Sequence, residues 1–278
     1  MSCNRNKMQR VIIGIFLSLL LLMTVIFVGV IVVKNSVIHV QLPHGAVLHV
    51  LPDHRNNHVD GAVIICPGGG YSYLEKWYEG YMWFPFFYLR GYTPAMLEYR
   101  MPKHDYNIPV TDGTEAIQMM RMHAKDWHFD DEQVGIVGFS AGGHLASTMM
   151  VIDNDSLRPD FGILFYPVIS MKRELTHIDS HNQLLGNDAS KQLEDQFSNE
   201  LHISEKTPPA FIAVTSDDKA VSPLNSILFY EGMRANNRPV LFRIYPSGGH
   251  GWAVRFSSEY RNQVLEDLSD WLKNKRLE

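Results

Sequence analysis

Downstream of residue 60 the chain alternates between short unbroken apolar runs and longer stretches in which apolar residues return every three or four positions. The runs fall at 62–66, 94–99, 134–139, 161–166, 210–215 and 240–245. Unbroken runs of this length predict strands covered on both faces, because a half-exposed strand would alternate apolar with polar. Helices are predicted between them at 111–127, 142–150, 222–235 and 257–273. The first follows Pro109 and repeats Ala116, Met119, Met120 and Ala124 near the helical period. The third opens on Ser222-Pro223, a capping residue followed by proline at the first helical position. The last gathers Val264, Leu265, Leu268, Trp271 and Leu272 on one side, with basic residues near its end. Strands alternating with helices predict an α/β fold, a mostly parallel central sheet with helices on both faces. In such sheets functional loops gather at the C-terminal ends of the strands. Residues 171–207 break the alternation with scattered Asn, Asp, Ser and His, and are expected to form an insertion or cap. Residues 35–52 read as a linker with a possible edge strand. The aromatic stretch 81–88 is expected to be helix and core packing, with a lid or acyl pocket as the alternative.

The N-terminus follows a different pattern. Residues 11–33 are 23 positions without a charge, and a helix needs roughly 20 apolar residues to span a bilayer. Arg5, Lys7 and Arg10 precede the run and no acidic residue occurs before Asp53. Positive charge stays cytoplasmic, so residues 1–10 are expected inside and the remainder outside. Apolar regions of cleaved signal peptides usually run ~7–15 residues and end near small residues. This run is longer and no clear cleavage site follows it. A retained transmembrane signal-anchor at 11–33 is therefore expected, with a cleaved, secreted form as the alternative. Residues 34–278 then form one globular domain in the periplasm or exterior.

Composition narrows the possibilities. With 45% hydrophobic and 20% charged residues the chain is not disordered. Its net charge of -5 excludes the basic balance of a nucleic-acid binder. Cys3 and Cys66 lie on opposite sides of the apolar run, so no disulfide is expected, and Cys66 reads as a buried small hydrophobe. His39, His44, His49, His54 and His58 are strung along the domain start without a tight pair, so no metal site is expected. Glu75 and Glu79 are spaced to share a helix face. A glycosidase needs opposed carboxylates, so that role is rejected.

The central chemical feature is Gly138-Phe139-Ser140-Ala141-Gly142. A G-x-S-x-G between a predicted strand and a predicted helix is the setting of a nucleophile elbow. A serine hydroxyl is a poor nucleophile without a base. On this arrangement the acid and then the histidine follow the serine along the chain. His250 lies in Ser247-Gly248-Gly249-His250-Gly251-Trp252, after the last predicted strand and before the last helix. The acid is expected after the preceding strand, where Asp217 and Asp218 are adjacent. Spacing alone leaves both open. Gly68-Gly69-Gly70 follow the first strand of the series, and a glycine run lets backbone N–H groups approach an anionic oxygen. The amides of Gly69, Gly70 and Ala141 are the candidate oxyanion donors. The competing phosphate loop would need G-x-x-x-x-G-K-[ST], which is absent. His144, four residues after Ser140, is expected near the site but facing inward, in a structural role.

The segments PGGGY, DGTEAIQMMRMHAKDW, VGIVGFSAGGHLAS, FYPVIS, LLG, TPPAFIAVTSDDKAV and YPSGGHGW occur in that order. Together they resemble the α/β-hydrolase-fold serine esterases related to lipases, and more narrowly a bacterial group linked to acetyl-xylan and other hemicellulose esters. The resemblance covers nearly all of residues 45–275. It implies the α/β-hydrolase fold, a Ser-Asp-His triad acting through an acyl-enzyme, and no cofactor or metal. In this family the acid is the Asp of Asp-x-x-Val, which here is Asp218-Lys219-Ala220-Val221, so the resemblance implies Asp218 and leaves Asp217 second. The implied partner is a small-molecule or oligosaccharide ester carrying a short acyl group, with acetyl expected. One departure is Pro67 where related enzymes commonly have His before three glycines; the donor glycines are retained. The resemblance leaves three rivals: a serine peptidase of the same fold, a feruloyl esterase, and a non-catalytic binding module. The first usually carries a large extra domain, the second needs a larger aromatic acyl pocket, and the third is opposed by the complete triad.

Overall fold

Eight strands form one sheet in the order β1-β2-β4-β3-β5-β6-β7-β8. They are β1 (Ile38–Gln41), β2 (Val47–Val50), β3 (Gly61–Cys66), β4 (Tyr92–Glu98), β5 (Val134–Phe139), β6 (Phe161–Phe165), β7 (Ala210–Thr215) and β8 (Val240–Tyr245). The computed structural model describes residues 36–52, 60–255 and 257–275. His39–Glu278 form one compact unit. The signal-anchor expected at 11–33 lies outside the described residues, as do Cys3, His54 and His58. Among the described residues no helix is long and apolar enough to cross a membrane.

From β4 to β8 every neighbouring pair is parallel, and β2 runs antiparallel to β4. Every residue of β3, β5, β6 and β7 is buried, which is why these runs never alternate with polar residues. The edge stretch 35–52 supplies two strands where one was expected. Glycine lets layers touch: a Cβ on Gly162 would lie 2.2 Å from Met150 Sδ, and one on Gly135 would lie 2.2 Å from the Phe161 ring.

The helices are α1 (Phe84–Tyr88), α2 (Asn107–Met122), α3 (Ser140–Val151), α4 (Ile178–Leu185), α5 (Lys191–Gln196), α6 (Leu224–Ala235) and α7 (Arg261–Asn274). Helix boundaries differ from expectation: α2 spans Asn107–Met122 against 111–127, and α7 starts at Arg261 against 257. α2 begins before Pro109, because a helix's first turn has no intrahelical acceptor to lose and tolerates proline beyond its first position. Segment 171–207, expected as an insertion or cap, holds α4, α5 and a 3₁₀ turn at Asn199–Leu201. Both helices are too short to show a sequence period. Ser190 caps α5 by accepting from the Leu193 amide at 3.2 Å.

The aromatic stretch 81–88 forms a 3₁₀ turn and α1. Trp83, Phe84 and Phe87 are buried. Trp83 lies 5.3 Å from Phe139 and 4.9 Å from Phe165, and those two rings stack at 5.0 Å. Aromatic packing of this kind buttresses the end of β5, one residue before Ser140.

Candidate active site

β5 ends at Phe139 in extended conformation and α3 starts at once with Ser140. Ser140 takes φ 52, a left-handed conformation that costs a residue with a side chain about 1–2 kcal/mol. Its two glycines do not carry the strain, since neither has positive φ. They are required by close approach. A Cβ on Gly138 would lie 2.4 Å from the Gly142 carbonyl, and one on Gly142 would lie 2.1 Å from the Cys66 carbonyl. The glycines press α3 onto β5 and β3, and the serine absorbs the turn. Cys66 itself is a buried free thiol.

Ser140 Oγ lies 2.9 Å from His250 Nε2, and His250 Nδ1 lies 2.7 Å from Asp218 Oδ2. A carboxylate only accepts, so Nδ1 carries the proton and Nε2 is free to accept the serine hydroxyl. Asp218 is buried, and its other oxygen accepts from the amides of Ala220 at 2.9 Å and Val221 at 3.0 Å. These bonds fix the carboxylate so that one oxygen faces the imidazole. Asp217 points elsewhere. It accepts from the amides of Gly248 at 3.2 Å and Gly249 at 2.9 Å. The Gly249 amide, first among several donors, holds its carboxyl below the usual value. The neighbouring acids thus separate: Asp218 meets His250, and Asp217 anchors the glycine loop that carries it. That loop needs left-handed backbone at Gly249, φ 63, and Gly251, φ 72. Arg255 holds its far side by donating to the His250 carbonyl at 2.8 Å.

Gly69 and Gly70 line the cleft into which Ser140 opens. Both have positive φ, and a Cβ on Gly69 would meet the Tyr73 carbonyl at 2.2 Å. Their amides donate to no acceptor among the described residues. The Ala141 amide lies in the first turn of α3, where no intrahelical acceptor exists. Three candidate donors are therefore unspent.

Behind this loop sits a residue that sequence reasoning assigned no part. Glu79 is buried; it accepts from the Gly68 amide at 2.8 Å and from the Tyr166 hydroxyl at 3.0 Å. Burial pushes its carboxyl up, with the Gly68 and Tyr166 donors opposing. Glu75 and Glu79 do not share a helix face, for residues 76–80 form turns. Glu75 caps that turn toward the Tyr78 amide at 3.4 Å. Tyr166 lies directly after β6, where the topology rule would have pointed, and its ring meets His250 edge-on at 4.8 Å.

His144 faces inward. Its Nε2 donates to the Phe197 carbonyl at 2.8 Å, and its Nδ1 accepts from the Tyr71 hydroxyl at 2.9 Å. Burial lowers its pKa to about 4, so it is neutral at pH 7 and ties α3 to segment 171–207. The early histidines are not without a tight pair: β1 and β2 are neighbours, and His39 Nδ1 lies 2.6 Å from His49 Nδ1. His44 instead meets Glu115. Among the described residues no group of three or more His, Cys, Asp or Glu is placed to hold a metal.

The cleft has a volume of about 680 Å³. Besides the residues above it is bordered by Tyr73, Tyr78, Glu75 and by His177 and Asp179 of segment 171–207. Of these, Tyr73 and Tyr78 stand 61% and 49% exposed. A strained nucleophile and a base facing one cleft, a buried acid behind the base, and unspent donors beside them can carry acyl transfer.

The family model described as BD-FAE matches residues 50–233. An acetylxylan esterase of Xylanibacter ruminicola is 41% identical over 218 residues, covering 77% of this chain and 45% of that protein. Endo-1,4-beta-xylanase B of Butyrivibrio fibrisolvens is 33% identical over 218 residues, 72% of this chain and 34% of that one. The chain spans less than half the length of either. Among solved structures, an acetyl ester-xyloside bifunctional hydrolase from Caldicellulosiruptor lactoaceticus superposes with a TM-score of 0.76 at 30% identity, covering 82% of this chain and 88% of that one.

Proposed function

The chain belongs to the BD-FAE family of α/β-hydrolase-fold proteins, and from that premise we propose a serine carboxylic-ester hydrolase that removes acetyl groups from a xylan-type carbohydrate. The observation that carries this reading is the hydrogen-bonded line Ser140–His250–Asp218 opening into the cleft. Ser140 attacks the ester carbonyl while His250 takes its proton. Asp218 holds the imidazole and stabilises the cation it becomes. The amides of Gly69, Gly70 and Ala141 receive the oxyanion, where preorganised donors act without reorganising. His250 returns the proton to the departing alcohol. Water, activated by the same base, then releases the acid and restores Ser140.

Support for the sugar comes from two sides. Relatives named for acetylxylan and acetyl ester-xyloside substrates share this domain, and exposed tyrosines on a polar rim suit pyranose rings. Purified protein is offered an aryl acetate, an aryl butyrate, a feruloyl ester, an aminoacyl anilide and acetylated xylan. Acetate release from the first and last supports the reading. Preference for the feruloyl ester or anilide moves the substrate to the rival classes, and no turnover by folded protein overturns it.

The N-terminal run is part of the same proposal. Arg5, Lys7 and Arg10 before the uncharged residues 11–33 support a signal-anchor with the catalytic domain outside the cytoplasm. Activity of intact cells on an impermeant ester tests this; activity confined to lysed cells contradicts it.

A further inference from the structure

Glu79 is a buried ionisable group beside the reacting centre that the acyl-transfer scheme leaves unused. Its two oxygens reach in different directions. Oε2 accepts from the Gly68 amide at 2.8 Å, on the loop that presents Gly69 and Gly70. Oε1 accepts from the Tyr166 hydroxyl at 3.0 Å, on the residue whose ring meets His250 at 4.8 Å. The fit is close. A Cβ on Gly68 would lie 2.6 Å from Glu79 Oε2 and 2.8 Å from Ser140 Cβ. The loop is therefore wedged between the glutamate and the nucleophile, and its own turns close it through the Gly68 carbonyl, which accepts from the Glu75 amide at 3.0 Å, and the Gly69 carbonyl, which accepts from the Ser72 amide at 3.0 Å. Tyr166 has φ 38, a strained conformation for a bulky residue that persists only where surrounding contacts over-determine it. The hydroxyl bond to Glu79 is one such contact. The residue before Gly68 is held by Tyr99, whose hydroxyl donates to the Pro67 carbonyl at 2.7 Å.

We propose that Glu79 is a positioning residue: its carboxyl group clamps the Gly68 amide and the Tyr166 hydroxyl together, fixing the depth of the oxyanion loop and the wall beside His250. One side chain then registers the donors for the oxyanion against the base that generates it. This rests on the esterase reading. A displacement of about 1 Å in a catalytic group costs on the order of 10²-fold. The loss belongs to kcat, because the oxyanion exists only after attack and substrate binding does not use it.

The test uses the intact protein on an aryl acetate, with thermal melting to verify folding. Glu79→Ala is expected to lower kcat about 10²-fold with KM within about threefold. Glu79→Gln keeps the shape, and since a tyrosine hydroxyl both donates and accepts, the amide can satisfy Gly68 and Tyr166 together. It is expected to keep kcat within about tenfold. Phenylboronic acid, which adds to the serine and places an oxygen at the donors, should bind Glu79→Ala more weakly in proportion to its loss in kcat/KM. Tyr166→Phe should also lower kcat, and combining it with Glu79→Ala should add little, because both cut one network. Wild type without ester turnover would sink the esterase reading itself. An active wild type with folded Glu79→Ala unchanged would overturn the clamp alone. A Glu79→Gln as slow as Glu79→Ala would also overturn it, assigning the effect to charge. Should Glu79→Ala fail to fold, Tyr166→Phe decides: an unchanged kcat overturns the proposal.

Discussion

Asp217 and Asp218 differ by one position and do opposite things. Asp218 is buried against His250, with its second oxygen held by two amides, while Asp217 reaches across to Gly248 and Gly249. Adjacent residues in a turn leave it in different directions, and no spacing rule says which one meets an imidazole 32 positions away. Family resemblance pointed to Asp218, and the geometry shows what Asp217 does instead. Asp218→Asn presents the wrong group to Nδ1 and is expected to lower kcat by on the order of 10³–10⁴. Asp217→Asn keeps an acceptor and is expected to cost less than about tenfold, through a looser loop. Steady-state kinetics of the two variants checks this, and equal losses would contradict the assignment. Ser140 and His250 are legible as candidates because their motifs fix local backbone. Glu79 was not, because its partners lie 11 and 87 positions away.

At the scale of elements, the strands buried on both faces were readable from unbroken apolar runs, whereas α4 and α5 were not. Those two helices hold eight and six residues, fewer than the period needs to show itself. They are held by tertiary contacts, one of which runs through His144 to Phe197. This makes a pH prediction. The folded pKa of His144 is about 4 against an ordinary 6.5, so between those values the unfolded chain binds a proton that the folded chain refuses. Stability from this group is whole above pH 6.5 and falls as pH drops toward 4, by at most about 3 kcal/mol. His144→Gln removes that titration. Urea unfolding of wild type and variant at pH 7 and pH 4.5 should show a smaller loss in the variant. An equal loss would show that His144 does not stay neutral on folding.

At the scale of the whole molecule, an open cleft lies at the C-terminal ends of β3, β5, β7 and β8, where an α/β sheet is expected to place function. Its exposed rim tyrosines Tyr73 and Tyr78 follow Gly68-Gly69-Gly70 closely in sequence, so the segment that carries the candidate donors also supplies part of the cleft's rim. If that rim holds the sugar chain of the proposed substrate, Tyr78→Ala should raise KM for acetylated xylo-oligosaccharides several-fold and leave an aryl acetate unchanged. An equal change on both substrates would count against a sugar platform. The sequence analysis singled out the aromatic stretch 81–88 and not these tyrosines, whose exposure depends on how the turns at 76–80 dock.

The most direct measurement is to treat the protein with a fluorophosphonate, which labels only an activated serine, and to map the adduct by peptide mass spectrometry while following loss of aryl-acetate hydrolysis. One adduct on Ser140, stoichiometric with lost activity and absent from His250→Ala, is the predicted result. Hydrolysis that survives Ser140→Ala, or an adduct on another serine that tracks the activity, would contradict the account.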